Sequence, residues 1–177
     1  MGQIIWINGL AGAGKTTTAR ALCARLKKLQ KEGLLKDDGV INIDGDEFRA
    51  VFEHFGYSKE ARIKQLKNRM ALTIALAKQG FCVVNSAITL FNECYEQCRS
   101  MSKEAGIKYT EIFIDCPMEV LEQRDQKGLY SGAKKGIQKE VVGIDIPYDK
   151  PNAHLVLNGN GNIEKNVDEI IKYLGLA

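Results

Sequence analysis

Eight residues near the start of the chain, Gly9 to Thr16 (GLAGAGKT), fit the spacing GxxxxGK[ST]. Glycines so placed let successive backbone N–H groups turn toward an anion. A lysine after the last glycine reaches the outer phosphate oxygens, and the hydroxyl that follows is a ligand for Mg2+. The residues with the right chemistry here are Lys15 and Thr16, and the spacing predicts a bound nucleoside triphosphate. A second chemical group follows VINID (Val40 to Asp44), where Asp44 and Asp46 leave an apolar run. A carboxylate there can accept a proton from an attacking hydroxyl or hold Mg2+ through water. Arg49, one turn further on, is available to a substrate phosphate or sulfate.

These groups need elements to hold them. Gln3 to Asn8 (QIIWIN) reads as a buried strand, and Thr18, Leu22, Leu26 and Leu29 mark the helix after the loop. That helix would turn its positive end toward the phosphates. A short helix runs through Phe48 and Val51. A longer one starts near Ser58, a candidate N-cap, and carries Ile63, Leu66, Met70, Ile74 and Ala77 on one face until Gly80. Strands follow at Phe81 to Ser86, Tyr109 to Asp115 and Leu155 to Asn158. A polar-faced helix spans Phe91 to Ala105, Pro117 sits in the first turn of another, and a last helix from Ile163 to Leu174 is capped by Asn162. The alternation predicts an α/β fold, a single domain over residues 1–177 with a parallel sheet flanked by helices. Between Asp125 and Asp149 the rhythm breaks, and an irregular stretch of that length reads as a functional loop or lid.

The chain has 177 residues, 45% hydrophobic and 27% charged, with a formal net charge of +3. Disordered and low-complexity classes are excluded, and so little net charge with 7% aromatics does not suggest a nucleic-acid channel. No apolar run approaches the length of a membrane span. Cys23, Cys82, Cys94, Cys98 and Cys116 are odd in number and form no CxxC, so they read as reduced structural thiols of a cytoplasmic protein. Cys94 and Cys98 could share a helix face, but no histidine stands at metal-ligand spacing near them.

Among proteins with this loop, a GTPase switch would show NKxD, which is missing, and a DxxG after a strand, whereas Asp125 to Gly128 follows a helix. A motor-type ATPase would show a strand ending in adjacent acids. A small-molecule kinase needs an acceptor pocket after the second strand and a basic lid, and both are visible. Lys127, Lys134, Lys135 and Lys139 supply the basic residues, of which at least two are expected to face solvent. Arg124, at a helix end before the lid, could either bind carbonyls or stack on adenine.

GLAGAGKTT, DGDEFR, RDQKGLY and GIDIPYDKP, in this order and spacing, resemble the adenylyl-sulfate kinase family over nearly the whole chain. The resemblance implies a nucleotide-kinase-like fold, a homodimer, MgATP as donor, and phosphorylation of the ribose 3′-hydroxyl of adenylyl sulfate. It also implies that Gly9, Gly12, Ala13, Gly14, Lys15, Thr16 and Thr17 surround the ATP phosphates, with Thr16 on the metal and Arg124 against the ATP base. Lys15, Asp44 and Asp46 become the catalytic groups. The acceptor contacts become Asp46, Arg49, Tyr57, Arg62, Gln65, Ile88, Lys127 and Leu129, with Tyr130 completing the lid motif.

The departures are as specific. The family's NIRR stands here as Gln65, Leu66, Lys67 and Asn68, its SPYR as Thr89, Leu90, Phe91 and Asn92, and the aromatic of its FTGID is lost at Val141 and Val142. Tyr57 can occupy an opposing aromatic position. Arginine forks are not replaced in kind by Lys or Asn. Matches belong to the donor, the reacting hydroxyl and the lid, while mismatches cluster where the acceptor's base and sulfate would sit. The main expectation is adenylyl-sulfate phosphorylation. The alternative is a paralogue using another activated nucleotide such as cytidine diphosphoramidate. A silent nucleotide-sensing P-loop module is a third reading, and the intact lysine, threonine and acidic pair argue against it.

Overall fold

Strands covered on both faces are mostly apolar, and Ile4, Ile5, Trp6 and Ile7 are all fully buried. Each contributes about 1.5–3 kcal/mol by leaving water. They belong to β1 (Gln3–Gly9), the middle strand of a sheet seen in the computed structural model, which describes residues 2–52, 56–125 and 127–176. The other strands are β2 (Gly39–Asp44), β3 (Phe81–Ala87), β4 (Lys108–Asp115) and β5 (Leu155–Asn158). All pairings are parallel, in the order β2-β3-β1-β4-β5. The helices are α1 (Lys15–Lys31), α2 (Gly45–Val51), α3 (Lys59–Lys78), α4 (Asn92–Glu104), α5 (Met118–Arg124), α6 (Leu129–Lys134) and α7 (Ile163–Tyr173). The parallel α/β class and the strand positions expected from periodicity are what the fold contains.

Four local expectations need correction. Pro117 is the N-cap of α5, not a residue of its first turn, so its ring fixes the entry to the helix. α4 begins after Phe91, whose side chain is buried, and its orphan N–H groups find a remote cap: Asp149 Oδ2 accepts from Asn92 N at 3.0 Å. The buried face of α3 is less apolar than its leucines and isoleucines suggest. Gln65, Arg69 and Thr73 are buried there, while Ile63 and Ile74 are only partly so. Finally, the stretch 125–149 is not wholly irregular. Asp125 accepts from the backbone N–H groups of Tyr130 and Ser131 and so starts α6, and Val142 bridges to Ile146. Among the described residues no helix is long and apolar enough to cross a membrane. All five cysteines are free and buried, and burial pushes their thiols up, as structural thiols require.

One charged pair is built into the core. Glu111, fully buried in β4, accepts from Arg99 of α4 at 2.9 Å, and the same arginine donates to Asn152 O at 3.0 Å. Burial raises the Glu111 pKa and Arg99 partly offsets it. Arg99→Met would leave a buried carboxylate without its half-exposed cation, which costs about 1–3 kcal/mol at neutral pH. A raised folded-state pKa means that stability is kept at low pH and lost as pH rises through it. Denaturant titrations should therefore show the R99M deficit larger at pH 8 than at pH 5, and an equal deficit at both would remove Glu111 as its cause.

Candidate active site

Parallel register brings three strand ends to one edge of the sheet. Asn8 lies against Ala87 and Asp44 against Ser86, so the loop after β1, the turn after β2 and the end of β3 open on the same crevice. In the first of these, Gly14 sits at φ +94°, a left-handed conformation that a side chain would strain, and α1 starts immediately after it. Lys15 Nζ donates to Leu10 O at 2.8 Å, inside the loop. Loss of water pushes its pKa down to about 8, against the opposing pull of Asp44 and Asp46. Gly9 ends β1, Gly12 and Ala13 lie in the loop, and Thr16 and Thr17 are in the first turn of α1.

Asp44 is the most connected group of the crevice. One carboxylate oxygen accepts from Thr16 Oγ1 at 2.7 Å and from Ser86 Oγ at 2.8 Å, and the other accepts from Asp46 N at 2.9 Å. Burial would raise its pKa, but these hydrogen bonds outweigh it and the carboxyl sits below its ordinary range. Asp46, much more exposed, pairs with Arg49 on its own helix and with Lys127 from the far segment. Burial again pushes upward, and the Lys127 hydrogen bond and Arg49 charge bring its pKa down. Both carboxylates are ionised at neutral pH.

Beyond Asp46 lies a basic rim. The Arg49 and Arg62 guanidiniums sit 5.5 and 5.6 Å from the centre of the half-exposed Tyr57 ring. Arg62 also donates to Tyr57 O at 2.7 Å and to Glu140 O at 3.4 Å, joining α3 to the far segment. Gln65 is buried one turn later and its Nε2 lacks a hydrogen-bond partner. Ile88 follows β3 directly and is half-buried. Leu129 opens α6, which Tyr130 pins to the phosphate loop by donating to Ala11 O at 2.7 Å. Val141 and Val142 are buried, and Tyr57 presents a half-exposed ring at this rim.

Arg124 is engaged with carbonyls. Its guanidinium donates to Gly12 O at 3.1 Å and Gly159 O at 2.9 Å, stitching the phosphate loop to the turn before α7. Lys134 pairs with Glu122, while Lys135 and Lys139 face solvent. Two residues at the crevice escape a sequence reading. Ser86 carries Asp44, and only the β2–β3 register makes it a neighbour. Arg69 is buried against Gly45, and its signal was an arginine one turn after Gln65 on an apolar face.

The family model for adenylylsulphate kinase matches residues 1–158. The cytidine diphosphoramidate kinase of Campylobacter jejuni is 43% identical over 175 residues, 98% of this chain and 96% of that protein. The adenylyl-sulfate kinase of Saccharomyces cerevisiae is 36% identical over 86% of this chain and 72% of its own length. The structure of the Mycobacterium tuberculosis APS kinase, in complex with AMPPNP and APS, superposes with a TM-score of 0.88 at 33% identity over 98% of each chain.

The lowered Lys15 pKa has a measurable consequence. A bound triphosphate restores the ammonium, so ATP binding should take up about three-quarters of a proton at pH 8.5 and about a tenth at pH 7. Calorimetry in two buffers of different ionisation heat reads this directly. Lys15→Met should abolish the uptake at pH 8.5, and uptake surviving in that variant would mean another group titrates.

Proposed function

The chain belongs to the adenylylsulphate kinase family and is a P-loop kinase that binds ATP, and from its site we propose that it phosphorylates the ribose 3′-hydroxyl of an activated pyrimidine nucleotide of the cytidine diphosphoramidate type. The observation that carries the chemistry is the contact of Thr16 Oγ1 with Asp44 at 2.7 Å, with Asp46 beside it between two cations. Full-length similarity to the Campylobacter enzyme supports the choice of acceptor, as do the departures at Gln65–Asn68 and at Val141 and Val142. The second reading, adenylyl sulfate as acceptor, has in its favour the similarity to the yeast and mycobacterial enzymes.

Mg2+ prefers hard oxygen ligands and keeps several waters, and the Thr16 hydroxyl and Asp44 carboxylate form such a pair at the mouth of the phosphate loop. The ion's contribution when bound is neutralisation of charge on the phosphate oxygens. Lys15 and the loop's N–H groups bind the β and γ phosphates and hold the terminal phosphoryl in place. Asp46 hydrogen-bonds the attacking hydroxyl and takes its proton as the new O–P bond forms and the bond to ADP breaks. Arg49 and Lys127, which pair with Asp46, are placed to turn to the acceptor's phosphates. Arg62 closes the far segment over the crevice and helps to exclude water.

A coupled ADP-release assay with MgATP against cytidine diphosphoramidate, adenylyl sulfate, CDP and AMP tests the acceptor. Rapid turnover is expected with the cytidine diphosphoramidate alone, and preference for adenylyl sulfate by kcat/KM would replace the proposal with the second reading. Asp46→Asn should lower kcat about 100- to 10,000-fold while leaving ATP affinity intact. Full turnover by that variant would remove Asp46 as the base.

A further inference from the structure

Arg69 is an arginine in the wrong place for an ordinary core. It is 3% exposed on the inner face of α3, and among the described residues no carboxylate lies within ion-pair distance of it. Its Nε has no hydrogen-bond partner, and Nη1 makes a single long contact of 3.4 Å with Ser86 O. The guanidinium instead lies between two rings, 5.8 Å from Trp6 and 5.1 Å from Phe48. An apolar side chain of similar length would fill this space without the cost of desolvating a charge.

The groups around it show what the charge faces. A Cβ added to Gly45 would come within 3.3 Å of Arg69 Nη2 and 3.2 Å of Ser86 O, so the turn between Asp44 and Asp46 lies flush against the guanidinium. Ser86 joins the two charges, since its carbonyl accepts from Arg69 and its hydroxyl donates to Asp44. The two contacts use different groups of Ser86, so the residue ties both charges to the same point of β3. Burial and the charge of Arg49 lower the Arg69 pKa to about 10, with Asp44 and Asp46 opposing, so it is a cation at neutral pH.

We infer that Arg69 is a positioning residue whose buried charge, acting through Ser86 and Gly45, holds the Asp44–Asp46 turn in place for the metal and the reacting hydroxyl. The inference rests on the kinase reading above, but part of its test does not. For Arg69→Met, Arg69→Gln and Arg69→Lys, ATP affinity is measured with and without Mg2+, and kcat with whichever acceptor the wild-type enzyme turns over. Far-ultraviolet circular dichroism and the cooperativity of denaturant unfolding report whether the core is intact.

R69M is expected to keep a cooperative unfolding transition and to hold metal-free ATP affinity within threefold. It should lose at least fivefold of the affinity that Mg2+ adds and at least 30-fold in kcat. R69K should recover most of both. An undiminished Mg2+ gain and kcat in R69M would overturn the inference, as would equal impairment of the Met and Lys variants. Should R69M fail to fold, Arg69→Gln decides: loss of the Mg2+ gain that R69K retains supports the inference, and an undiminished gain overturns it. A wild-type enzyme that turns over none of the acceptors removes the ribose reading, and the Mg2+ gain still decides Arg69.

Discussion

The carboxylate of Asp44 is the point on which the crevice depends. It is a buried anion, and a buried anion persists only where donors converge on it. They do so from three places in the chain: the hydroxyl of Thr16 at the start of α1, the hydroxyl of Ser86 in β3, and the backbone N–H of Asp46 in α2. Satisfying one charge therefore fixes the phosphate loop, the β2 turn and the end of β3 relative to one another. The parallel register of β1, β3 and β2 makes this possible, because it brings all three to the same edge. Neither the loop nor the acidic pair would be a site without the other.

Much of this was legible before any coordinates. The strands announce themselves as short β-branched runs, since a doubly covered strand is apolar at most positions. The loop announces itself because phosphate binding tolerates few alternatives to GLAGAGKT. Ser58 and Asn162 were readable as caps for the same local reason, and both accept from the N–H groups expected of them. What stayed hidden depends on distance in sequence. Asn92 is capped by Asp149, 57 residues away, and no local pattern can signal that. The helix at Leu129–Lys134 is six residues long, too short for a period to be counted. Ser86 and Arg69 become members of the site only through register and helix rotation.

The acceptor side of the crevice shows a different kind of constraint from the donor side. The phosphate loop presents backbone N–H groups and a lysine, a donor set suited to chemistry common to all nucleoside triphosphates. At the rim the proposed acceptor contacts are long side chains, Arg49, Arg62, Lys127 and Tyr57, which can be exchanged without disturbing the sheet. A lineage can thus keep phosphoryl transfer and change the molecule that receives it. The buried valines at positions 141 and 142 fit this pattern, because they pack against the fold and present no ring outward.

Arg124 and Tyr130 carry a consequence for how the donor binds. One side chain links Gly12 to Gly159 and the other reaches Ala11, so the loop is braced from α5 and α6 by the protein's own side chains. A glycine-rich loop left to itself would lose much conformational entropy on closing around an anion. Here most of that ordering is done during folding, which leaves the ligand's own loss of translation and rotation as the larger entropic term in donor association. The braced loop behaves as a mould, and adaptability is left to the rim formed by Arg49, Tyr57 and Arg62.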